Sequence, residues 1–180
     1  MLFRSPKWDD ANALPAETVR EQFVLNTVKA LGVAKAEWLA DYFRLYKAQA
    51  LAALKKVEQQ GLLKTVKVEG WKAPGYYHPD HQALIDTLAS GKLPRAKTTL
   101  LSPFDPIAWD RDRARELYNF DYTIECYTPA PKRIYGYFTL PIFYNNTLIG
   151  RLDPKAHRKE GMFEIKAVHL EPGVQVDDDL

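Results

Sequence analysis

Two carboxylates, Asp121 and Glu125, stand four residues apart in a stretch that reads as extended, FDYTIECY. An even spacing in an extended chain turns both the same way, and paired carboxylates can do acid/base work. The same pair is placed to hold Arg111, Arg113, Arg115 or Arg133 in salt bridges, and that structural role is the favoured one. His78-Pro79-Asp80-His81 has the look of a metal-ligand cluster. A zinc site, however, needs three or four ligands in tetrahedral array. The spacing and the proline suit a turn better, so no metal or other cofactor is expected. Cys126, the single cysteine, excludes an intramolecular disulfide. Set between apolar neighbours, it reads as a buried, inert thiol.

The basic residues make the stronger case. Lys132 and Arg133 follow a rigid Pro129-Ala130-Pro131 joint, and Arg151, Lys155, His157, Arg158 and Lys159 come from the far side of the hairpin after it. If that hairpin closes, Arg133 lies near Asp153 and both clusters share one end of the sheet. Gathered arginine and lysine neutralise phosphates and give salt-dependent affinity for nucleic acid. A second set is Lys47, Lys55, Lys67 and Lys72, joined by Arg44, Gln49 and Lys56. Against this stands the plain reading of a solvated surface and, for Arg151, a cross-strand pair with Asp153. Tyr135 and Tyr137 read as half-buried sheet residues more readily than as DNA contacts.

These side chains must be positioned by local elements. Pro15, Glu17 and Thr18 open a helix whose apolar face includes Val19, Phe23, Val28 and Leu31, with Gly32 as its stop. A second helix is expected over Lys35–Phe43, burying Leu39, Tyr42 and Phe43. A third runs over Lys47–Gln60, with Ala50, Leu54 and Val57 inward. Leu62–Glu69 alternates as a strand, and Tyr76-Tyr77-His78 returns beside it. Three helices and a two-stranded wing is the order of a winged helix, which makes Lys47–Gln60 the recognition helix and residues 69–75 the wing. Residues 79–90 form a short helix with Leu84, Ile85 and Leu88 inward, and residues 90–95 a linker.

After the linker, Asp105 is placed to cap a helix, with Pro106 at its first position and a body over Asp110–Phe120. Ile134–Tyr144 and Thr147–Leu152 then pair as a hairpin around Asn145-Asn146, because a two-residue primed turn needs positive φ and asparagine tolerates it. Pro141 fits an edge or a bulge. Met162–Leu170 supplies a third strand.

The runs SPFDPIAWDRDR, FDYTIECYTPAPKRIYGYFTLPI and LIGRLDPKAHRKEG closely resemble the C-terminal part of the AlkZ/YcaQ-type DNA glycosylases. The likeness is strong over Leu100–Gly161 and looser over residues 17–78. It implies tandem winged-helix units and hydrolysis of the N-glycosidic bond of alkylated or cross-linked bases. In that family a Gln-x-Gln or Gln-x-Asp motif in the first unit serves the reacting sugar. Gln175-Val176-Asp177 fits the letters outside that context, so no catalytic residue is assigned.

The totals agree with a soluble globular chain: 180 residues, 46% hydrophobic, 27% charged. The net charge of +2 is modest, but acid collects at Asp9-Asp10 and Asp177-Asp178-Asp179, leaving the interior more basic. No apolar run has the length of a membrane span, and a cytoplasmic monomer is expected. Both ends read as cut. The expectation is therefore an α+β chain: a lead-in over 1–14, a winged-helix unit over 15–90, then a helix and antiparallel sheet over 91–180. Its function would be to grip damaged double-stranded DNA for a repair glycosylase whose catalytic unit lies elsewhere. The alternatives are a winged-helix transcriptional regulator without enzyme activity and a purely structural fragment.

Overall fold

Val24 and Val28 fall on one face of a helix, α1 (Ala16–Leu31), and both are fully buried. The computed structural model describes residues 10–92 and 96–175, so most of the lead-in and Leu93-Pro94-Arg95 lie outside the described residues. The chain is α+β, with two antiparallel sheets, and divides into two units between Ser90 and Gly91.

In the first unit α1 ends at Gly32, whose φ is 78°. A two-residue strand, β1 (Val33–Ala34), follows, then a 3-10 turn, Ala36–Trp38, that runs into the short α2 (Leu39–Tyr42). Next come α3 (Lys47–Gln59), β2 (Lys64–Val66), β3 (Gly75–Tyr77), a 3-10 turn at Pro79–His81, and α4 (Gln82–Ala89). The sheet order is β1-β3-β2, with Tyr76 facing Ala34 on one side and Thr65 on the other. Leu39, Ala50, Leu54, Val57 and Leu63 close over Val24 and Val28 as one core. Trp38 is buried there and meets Trp71 edge-on at 5.1 Å. Tyr42 and Phe43 are only half-buried, Phe43 stacking on Phe23 at 4.3 Å. The inward face expected of α4 is not formed: Leu84 and Leu88 are exposed.

The second unit holds β4 (Thr99–Leu100), α5 (Arg111–Tyr118), β5 (Leu140–Tyr144), β6 (Thr147–His157) and β7 (Met162–Leu170), with sheet order β4-β5-β6-β7. The helix starts at Arg111 because Asp110, rather than Asp105, caps it: the Asp110 carboxylate accepts the Arg113 N–H at 3.1 Å. Asp105 instead accepts the Ile107 N–H at 2.9 Å and closes a separate turn. Asn145 and Asn146 take φ of 48° and 65°, so the hairpin turns where the asparagines allow. Its first strand is shorter than expected, because residues 134–139 stand outside the ladder. A register shift falls between Ile142 and Phe143, next to Pro141. Phe120, Tyr122, Leu101, Phe143 and Leu148 form the core, and the Tyr122 hydroxyl donates to the Thr139 carbonyl at 2.6 Å.

Gly150 of β6 lies close against the β7 backbone. A Cβ there would stand 2.4 Å from the His169 carbonyl oxygen and 2.9 Å from the Leu170 Cα. Both obstacles are backbone, so no side chain can swing away. Gly150→Ala is expected to cost about 1–3 kcal/mol, the range for forced overpacking. Urea unfolding checks it: the midpoint should fall with an unchanged slope. An unaltered midpoint would mean that β7 shifts freely.

Candidate nucleic-acid interface

In the first unit the expected cations occupy two places. Lys47 opens α3 and Lys55 lies two turns further on, both exposed. Between them the exposed face carries Ala48, Leu51 and Ala52. Lys56 is engaged within the protein: its Nζ lies 2.6 Å from Glu21 and 3.7 Å from Glu17. The hydrogen bond to Glu21, helped by both carboxylate charges, raises its pKa. Arg44 pairs with Asp41. Lys67 and Lys72 both line a cleft of about 380 Å³, together with Thr65, Val66, Trp71, Ala73 and Pro74. The loop after β2 thus brings two cations together, whereas α3 spaces its two apart.

In the second unit Lys132 ends a 3-10 turn, Ala130–Lys132, and is exposed. Arg133 is half-buried: its Nε donates to the Thr128 carbonyl at 2.9 Å and its guanidinium lies 4.9 Å from the Tyr137 ring centre. Lys155 faces Glu164 across the ladder. Arg158 and Lys159 are exposed in the turn that joins β6 to β7. The loop contact to Asp153 is made by Gly136, where a Cβ would sit 2.4 Å from the Asp153 Cγ. Arg158 is five residues further along, about 17 Å at strand rise. The loop that carries Arg133 therefore approaches β6 at Asp153, whereas Arg158 and Lys159 stand beyond the end of that strand.

Arg151 corrects the sequence reading. Its side chain is only 2% exposed and its Nη2 pairs with Glu171. The guanidinium lies 4.1 Å from the Tyr135 ring centre, 4.7 Å from Phe120 and 5.8 Å from Tyr122. A cation enclosed in this way cannot meet a phosphate. Neither is Asp153 its partner, since Arg151 pairs across the ladder with His169.

The carboxylates divide. Asp121 accepts from the Arg115 Nε at 3.1 Å, one of the salt bridges the sequence allowed. Glu125 is held by backbone N–H groups instead. It is buried, and its oxygens accept the backbone N–H groups of Ile134 at 2.9 Å, Tyr135 at 2.7 Å and Gly136 at 3.1 Å. Burial pushes its pKa up, but these N–H donors and the Arg133 charge outweigh it, and the carboxyl titrates below its ordinary range. Its partners lie nine to eleven residues away, in a stretch the sequence presents as strand, so no local signal pointed to them. The His78 ring accepts the Asp80 N–H at 3.2 Å, and His81 Nε2 lies 2.9 Å from the Lys29 carbonyl, so both serve the turn before α4. Cys126 is a free thiol in a turn and half-buried, rather than in a buried strand. Of the Gln175-Val176-Asp177 run, only Gln175 lies among the described residues.

What emerges is a two-unit α+β protein with cations on loops and strand ends, and no helix among the described residues long and apolar enough to cross a membrane. The chain belongs to the AlkZ-like DNA glycosylase family, whose sequence model matches residues 3–178. That match takes in both units, and it makes DNA the substrate class and DNA repair the setting. No solved structure matches the chain.

Proposed function

We propose that this chain is the DNA-gripping part of a base-excision glycosylase. The reaction it serves is hydrolysis of the N-glycosidic bond of an alkylated or cross-linked base, and no residue here is assigned to bond cleavage. The observation that carries the reading is the β6–β7 arm. From Lys155 to Lys166 nearly every residue is exposed, so two strands stand clear of the core with Arg158 and Lys159 at their tip. An antiparallel ribbon ending in cations suits the phosphate backbone.

The first unit we read as a winged helix, with α3 in the recognition position and Lys67 and Lys72 on the wing. On α3, the exposed stretch between Lys47 and Lys55 weighs against the regulator alternative. Ala48, Leu51 and Ala52 carry no hydrogen-bonding side chain with which to read base edges. A repair enzyme does not need that readout, because shape and deformability mark a damaged duplex. Its grip rests on charge: Lys47, Lys55, Lys67, Lys72, Lys132, Arg133, Lys155, Arg158 and Lys159.

Anisotropy of a labelled duplex, titrated at several salt concentrations, tests this. Wild type should bind more weakly as salt rises. The double variant Arg133→Ala/Arg158→Ala should flatten the logarithmic salt slope by about 2, near 0.9 per lost phosphate contact. A slope equal to wild type would remove both residues from the interface. Salt-independent binding by folded protein would sink the reading.

A further inference from the structure

We propose that the loop over residues 127–138 is a stacking surface for unpaired nucleobases, an inference that rests on the DNA-binding reading above. The sequence of this loop, YTPAPKRIYGYF, interleaves three tyrosines with two cations and contains no carboxylate. Proteins that hold unpaired bases use that combination: rings offer a face to any base, and adjacent cations meet the backbone.

The structure puts the pieces in one patch. Tyr127 is 90% exposed, Ile134 74% and Tyr137 56%. Arg133 ties them together, because its Nε bonds to the carbonyl of Thr128, next to Tyr127, while its guanidinium covers the Tyr137 ring. Phe104 packs edge-on against Phe138 at 6.2 Å and extends the apolar surface. Exposed rings on a loop ordinarily collapse or move. Here the backbone is held from beneath. Glu125 grips three successive N–H groups, Pro129 and Pro131 restrict φ, and Gly136, with φ of 139°, lets the chain pass close to Asp153. A fixed loop that presents aromatic faces beside cations has already met the ordering cost of binding. Tyr135 shows the contrast, since its ring is turned inward beneath Arg151.

The occupant is a base displaced from the helical stack, not the phosphate backbone alone. Charge supports a nucleic acid: the loop carries Lys132 and Arg133 and no carboxylate of its own, and the Glu125 carboxylate beneath it is occupied by three backbone N–H groups. The rings support its bases, because sugar and phosphate contacts do not require an exposed aromatic face.

The test compares affinities for a matched duplex and for the same duplex with a three-nucleotide bulge, by anisotropy at fixed salt. Wild type should prefer the bulged duplex about tenfold, within the span expected for one stacked base. Tyr127→Ala/Tyr137→Ala should bring the ratio close to one, while Tyr127→Phe/Tyr137→Phe should retain it, because phenylalanine keeps the ring. A melting curve on each variant establishes that it is folded. A wild-type ratio near one, or an undiminished ratio in the alanine pair, overturns the stacking surface while leaving the phosphate grip in place. Failure to bind either duplex overturns both readings together.

Discussion

Arg151→Ala is expected to lower the stability of the second unit by about 3 kcal/mol or more, the scale for breaking a buried ion pair. The side chain is fully buried, and its loss removes three things at once. Glu171 keeps a charge without its partner. Phe120, Tyr122 and Tyr135 lose the cation they surround. A cavity opens in the middle of a four-stranded sheet. Glu171 is about a quarter exposed and can take up water, which holds the first loss down. The ring contacts add about 0.5–2 kcal/mol between them. Thermal unfolding should move down by more than about 12 °C for a unit of this size.

Arg151→Met separates packing from charge. Methionine fills much of the same volume between the rings, so about 1–2 kcal/mol should be lost. Its duplex salt slope should match wild type, because Arg151 does not reach the surface. Arg158→Ala should do the opposite, flattening the slope with little change in stability. A flattened slope in Arg151→Met would return Arg151 to the interface and show that the sheet opens on DNA.

The contrast between Arg151 and Arg158 shows where the sequence was legible. Local chemistry was readable. Asn145-Asn146 adopt the positive φ their side chains permit, Met162–Leu170 is the third strand, and α1 and α3 end beside Gly32 and Gly61. What depends on distant neighbours was not. Residues 148–152 are buried in succession, on both faces of the sheet, so this part of β6 shows no alternation that could be read along the strand. Arg151 therefore looked like one more cation in a basic stretch. Residues 134–139 have the aromatic and β-branched content of a strand, yet Gly136 and the distant Glu125 draw them out of the ladder. β1 escaped notice because two residues, Val33 and Ala34, carry no periodicity of their own. Lys47, Lys55, Lys72, Lys132, Arg158 and Lys159 are exposed, the ordinary place for a charged side chain.

Glu125→Ala should be the second costly change, at about 2–3 kcal/mol, since hydrogen bonds to a charged acceptor are the stronger kind. Three N–H groups in succession would lose their shared acceptor. Ile134 is exposed enough for water to replace part of that loss, and Tyr135 and Gly136 less so. Glu125→Gln should fall between alanine and wild type. It keeps one oxygen but turns an amide NH2 toward N–H donors. The pH dependence follows from the sign of the shift. In the folded chain the Glu125 carboxyl titrates below its ordinary value of 4.5, so the unfolded chain takes up its proton first as pH falls. The stabilisation is complete above that ordinary value and disappears as pH drops through the lower, folded one. The wild-type advantage over Glu125→Gln should thus be constant near neutrality and shrink below about pH 4.5. Urea midpoints collected from pH 7 to pH 3 measure it directly. An advantage that stays level down to pH 3 would show that the loop is held by packing rather than by this carboxylate. The same variant bears on the DNA surface, because Tyr127 and Tyr137 project from the loop that Glu125 holds. Releasing the clamp should weaken discrimination between bulged and matched duplex even where the unit remains folded.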